Sequence, residues 1–301
     1  MGAVNAVAVV LHPERDCGYA IGAVSDWARA HGATVLGRAD ELARAGEHAE
    51  AVTAEDLTLR ADLIISLGGD GTMLRAMRLA VGGRAPVLGV NLGRLGFLAE
   101  IDVPDLPQAL SAIDEHRFTA EPRSAVSAVI DGRETVAFND IVLIRRPGDP
   151  SAAVALRVDG QPFVRYAADA VIAATPTGST AYSFSAGGPL VSPGAEGMLV
   201  VPVAPHSAFN RALFLSAGEK LSLELLPQSG ELGVEADGRL MGSVRPGDVV
   251  EVVMVPAAAK VIRLGGTTFY QRAQRKLRLS GSAEAETVVS PPTAVSPPHA
   301  G

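Results

Sequence analysis

The sequence predicts an α/β N-terminal domain with a mostly parallel sheet, followed by a β-rich, sandwich-like C-terminal domain. Three observations carry this. Buried-strand runs at 4–11 and 62–67 alternate with helical patterns up to about residue 121. From there to about 264 the pattern turns to short alternating strands with almost no helix. Three Asp-Gly pairs, at 131–132, 159–160 and 237–238, fall between such strands as tight hairpin turns.

In order along the chain, VNAVAVVL (4–11) reads as a first strand, and 18–31 as a helix with Ile21, Val24, Trp27 and Ala28 on one face. DLIISL (62–67) is a second strand that runs into GGDGT, and a helix continues from Met73 to Val81. Residues 86–90 form another strand before the glycine-rich NLGRLGFL, and 105–116 another helix. Within the β-rich half a helix is expected to start near Gly178 and Ser179. TTFYQRAQRKLRL (267–279) reads as a final helix, with RAQRK as a solvated charged face. The expected division is 1–121 for the α/β domain, completed by a C-terminal helix at 266–279, and 122–265 for the β-rich domain. Residues 280–301, rich in Ser, Ala and Pro, are expected to be a disordered tail.

The chain has 301 residues, a net charge of -7 and a pI near 5.4, so no global positive field draws nucleic acid or an anionic membrane. A polyanionic ligand therefore needs local donors. The single cysteine, Cys17, cannot form an internal disulfide, and with no signal peptide pattern and no bilayer-length apolar run the expected location is the cytoplasm.

GGDGT sits where a strand meets a helix, the position at which open α/β sheets bind ligands. Its glycines let the backbone approach a phosphate, and loop N–H groups at a helix N-terminus can cradle it. Asp70 does not suit that task, because a carboxylate repels phosphate. It suits either accepting a proton from a sugar hydroxyl or holding Mg²⁺. No Walker A loop and no G-x-G-x-x-G occurs. The second glycine-rich segment, VIAATPTGSTAYSFSAGGPLV (171–191), places six hydroxyls, from Thr175 to Ser185, within eleven residues. Helix capping uses some of them, and the rest fit a nucleotide, with Tyr182 available to stack on a purine. Pro205-His206-Ser207 reads as a structural loop. Arg75 and Arg94 read as phosphate contacts or solvated surface, and are left outside the site.

Together GGDGT (68–72), NLGRLGFL (91–98), FND (138–140), ADAVIAATPTGSTAYSFSAGGPL (168–190), PHS (205–207) and ADGR (236–239) resemble the NAD kinase family over most of the chain. GGDGT alone is shared with diacylglycerol and sphingosine kinases and phosphofructokinase-like enzymes; the 175–189 segment is the specific element. The resemblance implies an NAD kinase/diacylglycerol kinase-like fold and transfer of the ATP γ-phosphate to the adenosine-ribose 2′-hydroxyl of NAD, giving NADP. It implies Asp70 as the catalytic carboxylate, Gly71 and Thr72 at the phosphate loop, and Leu74 and Phe97 flanking the adenosine. Asn139 and Asp140 would bind the dinucleotide, Asp169 the nicotinamide end, and Asp237 would stand close to the reactive ribose. Thr177, Thr180, Ala181, Tyr182 and Ser185 match the nucleotide-binding stretch. It further implies a homodimer or homotetramer. No Mg²⁺ cage is visible in the sequence, so Mg²⁺ is expected to arrive with ATP. Ala168 and Ala170 stand where the family usually has glycines around that aspartate, and Ala167 where it is often basic, so the nicotinamide end departs from the pattern.

Overall fold

A computed structural model of the chain describes residues 4–42, 49–93 and 96–279. The expected tail at 280–301 lies outside the described residues, as does Arg94. In the first third, strands β1 (Ala6–Leu11), β2 (Thr34–Arg38), β3 (Glu50–Val52), β4 (Leu63–Gly68) and β5 (Val87–Asn91) all pair in parallel, in the order β3-β2-β1-β4-β5. Their apolar runs are continuous because both faces are covered. Val7, Val9 and Leu11 of β1 pack towards α1 (Gly18–Ala30) and, further along, a helix at Leu106–Asp114. Ala8 and Val10 point the other way, against Leu57 of α3 (Ala54–Arg60) and Met73 and Met77 of α4 (Asp70–Ala80). A period of two thus divides one strand between two cores. The short α2 (Ala39–Leu42) closes β2, a two-residue strand β6 (Ile101–Asp102) pairs with β5, and Leu106–Asp114 is α5.

The remaining strands are antiparallel to their neighbours: β7 (Thr119–Ile130), β8 (Arg133–Ala137), β9 (Asp140–Arg145), β10 (Ala152–Val158), β11 (Gln161–Ala168), β12 (Ala170–Ala174), β13 (Gly197–Val203), β14 (Leu213–Ser216), β15 (Leu221–Leu225), β16 (Leu232–Ala236) and β17 (Arg239–Val244). The three Asp-Gly pairs do close hairpins. Both residues of each have positive φ, 49° and 74° at 131–132, 49° and 78° at 159–160, and 48° and 72° at 237–238, which matches the strand twist. Strands β14-β13-β12-β9-β16-β17 form a separate six-stranded sheet. Its inner face, with Ile141, Leu143, Val171 and Val200, packs on Val126, Val154, Leu223 and Val252 of the first sheet. That is the expected sandwich.

One strand joins the two halves. β18 (Val249–Arg263) pairs antiparallel with β15 and β7 and then, past an irregularity between Val255 and Ala259, lies parallel to β5 through Val261 and Val87. The parallel and antiparallel strands therefore make a single twelve-stranded sheet among the described residues. Strand β7 runs straight through residue 121. The last element, α7 (Phe269–Leu277), returns to the first half, capped by Thr268 and Gln271 in a reciprocal capping box. No described helix is long and apolar enough to cross a membrane.

Two helical expectations shift. Helix α4 starts at Asp70, with Gly69 as its cap, so Asp70, Gly71 and Thr72 are its first turn and not a loop before it. The helix expected near Gly178 breaks into a 3₁₀ turn, Thr177–Thr180, and one short turn α6 (Tyr182–Ser185). The hydroxyls cause this by bonding locally in place of a helical ladder. Thr175 Oγ1 accepts from Gly178 N at 3.0 Å, and Ser179 Oγ accepts from Val191 N at 3.0 Å.

Candidate active site

Asp70 stands at the carboxyl end of β4. The turn from strand into helix is so tight that a Cβ on Gly68 would lie 2.2 Å from Thr72 Oγ1, which is why glycine stands there. Thr72 and Leu74 are buried against the strand side, 5% and 6% exposed. The Asp70 side chain is 29% exposed, and a negative charge in a helix's first turn is favoured by the dipole. Its Oδ2 accepts from Phe97 N and its Oδ1 from Leu98 N, each at 3.0 Å. Gly96 lies so close that a Cβ would come within 2.1 Å of Oδ1. The glycine-rich segment after β5 is therefore shaped around the carboxylate that follows β4.

A cavity of about 460 Å³ opens on the other side of the same turn, lined by Gly69, Gly71, Thr72, Arg75, Arg78 and Arg239, with the carboxylates Asp40 and Glu41 beside Arg38 also in its wall. Arg75 donates to Leu11 O and pairs with the buried Glu41 at 3.2 Å, while its Nε is buried with no partner. Backbone N–H groups, a hydroxyl and several guanidinium groups in one cavity suit a chain of phosphates. Sequence reasoning left Arg75 aside and missed Arg78 and Arg239. The signal was present in α4, where Arg75 and Arg78 are three residues apart and share a face. A second cavity, about 430 Å³, is lined by Phe97, Leu98, Thr177, Thr180, Phe269 and Tyr270 among others.

Asp237 lies deeper. Its side chain is 1% exposed and pairs with Arg78 of α4. Oδ1 accepts from Asn139 N at 2.6 Å and Oδ2 from Phe138 N at 3.3 Å. Asp237 N in turn donates to Asp140 O at 3.0 Å. Asn139 O accepts from Thr175 N at 2.8 Å, and a Cβ on Gly178 would lie 2.0 Å from it. So Phe138-Asn139-Asp140 is the knot that ties the second glycine-rich segment to the first helix of the site. Asp140 is 4% exposed, and its carboxyl is raised to about 7, first by burial and then by the charges of Asp237 and Glu235.

Tyr182 is 36% exposed and its phenol is pushed up by burial and then by the charges of Glu235, Asp169 and Asp140. Asp169 sits between β11 and β12, with its N donating to Val203 O at 2.9 Å and its side chain paired with Arg145. Ala168 and Ala170 are fully buried strand residues there. Thr177 is buried, Thr180 donates to Thr177 O at 3.3 Å, Ala181 is the break between the two short turns, and Ser185 is exposed. The structure thus gathers Asp70, Gly71, Thr72, Leu74 and Phe97 around α4 and joins Asn139, Asp140 and Asp237 to it through Arg78. His206 N donates to Ala167 O at 2.7 Å, a loop contact. Among the described residues no three His, Cys, Asp or Glu side chains gather as a metal cage.

Two family models match the chain, the ATP-NAD kinase N-terminal domain over residues 30–118 and the ATP-NAD kinase C-terminal domain over 138–264. A relative from Streptomyces avermitilis described as NAD kinase 1 is 39% identical over 74% of this chain and 73% of its own length. An NAD kinase from Desulforamulus reducens is 34% identical over 91% of this chain and 98% of its own. Among solved structures, an NAD kinase from Archaeoglobus fulgidus in complex with ATP superposes with a TM-score of 0.69 at 26% identity, covering 92% of this chain and 100% of that one. Yeast NADH kinase complexed with NADH shares the fold, with a TM-score of 0.79 at 24% identity over 92% of this chain and 88% of that one. A phosphate-suited cavity beside a seated carboxylate, on a chain with these likenesses, leads to one conclusion: this protein is a kinase and belongs to the NAD kinase family.

Proposed function

We propose that this chain transfers the γ-phosphate of ATP to the 2′-hydroxyl of the adenosine ribose of NAD, giving NADP and ADP, with Asp70 as the general base. The single observation that supports it best is the seat of Asp70. Two amides fix its carboxylate, partly open to solvent, on the turn whose neighbours Gly69, Gly71 and Thr72 line the arginine-rich cavity. In this reading the ATP phosphates lie over Gly71 and Thr72, facing Arg75 and Arg78. The adenosine lies against Phe97 and Leu74, in contact with Asn139, Asp140, Thr177, Thr180, Ala181, Tyr182 and Ser185. Asp237 holds that wall in place beside the ribose, and the nicotinamide end points to Asp169. The ribose O–H gives its proton to Asp70 as its oxygen attacks phosphorus, a step in which positioning and charge do most of the work.

In this reading Mg²⁺ comes bound to the ATP phosphates and offsets their charge. The division of labour follows residue 121: the α/β part supplies the base and phosphate loop, and the β-rich part the dinucleotide wall. A homodimer or homotetramer in the cytoplasm completes the proposal.

The test is a coupled assay for NADP with NAD or NADH as acceptor and ATP or polyphosphate as donor, run on wild type and Asp70→Asn. Turnover of Asp70→Asn is expected about 10²–10⁴-fold lower with NAD binding kept. Near-normal turnover would remove the general-base role. Tight NAD binding by wild type with no NADP formed would mark a dinucleotide sensor, and phosphorylation of diacylglycerol or fructose 6-phosphate a different kinase.

A further inference from the structure

The two amides are not all that holds Asp70. Helix α7 is pinned by Arg272, 3% exposed, which donates to Ala99 O and to Glu100 Oε2 at 2.6 Å. Four residues on, and so on the same helix face, Lys276 sends its Nζ to 3.1 Å from Asp70 Oδ2 and 4.6 Å from the centre of the Phe97 ring. A buried anchor and a charged tip thus come from one turn of helix. Glu100 ties that anchor further, accepting from Leu264 N at 2.9 Å and pairing with Arg263 at 2.8 Å. The tip is therefore carried by a rigid support and not by a loose surface helix.

A carboxylate has about four acceptor positions. Oδ2 of Asp70 receives the Phe97 N–H and the Lys276 ammonium; Oδ1 receives the Leu98 N–H alone. Oδ1 is left with an acceptor position for one more donor. We propose that Lys276 is a positioning residue for phosphoryl transfer: it holds Oδ2 of Asp70 so that Oδ1 takes the proton of the acceptor hydroxyl. This rests on the reading of Asp70 as the base. The O–H bond breaks and its proton goes to Oδ1. The oxygen bonds to phosphorus as the bond from phosphorus to the leaving ADP oxygen breaks, and its electron pair leaves with ADP. Lys276 neither gains nor loses a proton.

The experiment compares full-length Lys276→Met and Lys276→Arg with wild type for kcat and KM towards NAD, and measures NAD binding by calorimetry. Methionine keeps the stem over Phe97 but has no donor. Its kcat is expected about tenfold lower, while KM and Kd for NAD stay within about twofold. Arginine, whose guanidinium reaches the same oxygen, is expected within about threefold of wild type. A Lys276→Met kcat within twofold of wild type would overturn the proposal. So would an arginine variant as slow as the methionine one, or a loss of NAD binding that matches the loss of kcat. Asp70→Asn in the same series separates the two readings. If it turns over normally, the base assignment fails. If it is inactive while Lys276→Met is normal, only the role of Lys276 fails.

Discussion

Asp70 and Asp237 are seated alike and do different work. Each carboxylate accepts from two consecutive backbone amides, Phe97 and Leu98 for Asp70, Phe138 and Asn139 for Asp237. Each also pairs with one cation from a distant helix, Lys276 and Arg78 respectively. The difference is access: the side chain of Asp70 is 29% exposed and that of Asp237 1%. A carboxylate shut off from solvent binds the two halves of the molecule together. The same seat opened to solvent leaves the carboxylate within reach of a substrate. The cations differ accordingly, a planar fork in the closed seat and a flexible ammonium in the open one.

The sharpest way to break this comparison is to neutralise each carboxylate in turn. Asp70→Asn is expected to lose activity by about 10²–10⁴-fold with little change in thermal midpoint. Asp237→Asn is expected to do the reverse first. It leaves the half-buried Arg78 without its charged partner and lowers the unfolding free energy by about 1–3 kcal/mol, read from denaturant titration. If Asp237→Asn leaves stability unchanged, the closed seat is not a clamp.

A smaller effect tests the open seat from its backbone side. Gly96→Ala puts a Cβ where Oδ1 of Asp70 now lies, so the carboxylate must move. We expect kcat to fall about tenfold or more with the fold retained, since misplacing a reacting group by an ångström is costly. Equal kcat in Gly96→Ala and wild type would show that the seat is looser than described.

A pH effect concerns Asp140, whose backbone oxygen accepts from Asp237 N. Its carboxyl is raised to about 7, so the native state binds a proton that the unfolded chain releases near pH 4. Its contribution favours folding in acid and is lost as pH rises through about 7. Chemical denaturation from pH 4 to 8 should show that loss, on the order of a few kcal/mol. Asp140→Asn should flatten it and make the protein more stable than wild type at pH 8. An unchanged slope in the variant would mean that another group carries it.

Much of the fold was legible in the residues. The continuous apolar runs at 4–11 and 62–67 required a sheet covered on both faces, and the three Asp-Gly pairs required hairpins. The short β2 and β3 were not seen, because TVLGR and EAV carry too few residues for a period to show. Nor was the passage of β18 between the halves, since a strand's partners depend on pairing with residues far away in sequence. At the site, Asp70 and the 175–190 segment were legible from glycine and hydroxyl patterning. Lys276 was not, because RAQRK differs in no local way from a solvated helix face, and Arg272 within it proves to be buried. Only the return of α7 across 206 positions of sequence gives that lysine its partner.

That return has a consequence for how the protein comes to be made. The edge of the parallel sheet at β5 is covered by β18, which is separated from it by more than half the chain. While the chain emerges from the ribosome, β6 can cover Val90 and Asn91, but the Val87 end of β5 must wait unpaired on that side until Val249–Arg263 has been synthesised. An unpaired strand edge invites pairing with another chain, and pairing between such distant segments forms slowly. The growing chain therefore passes through a stage in which the carboxylate is present but its sheet is incomplete. Chains stopped before β18 should be aggregation-prone and dependent on chaperones.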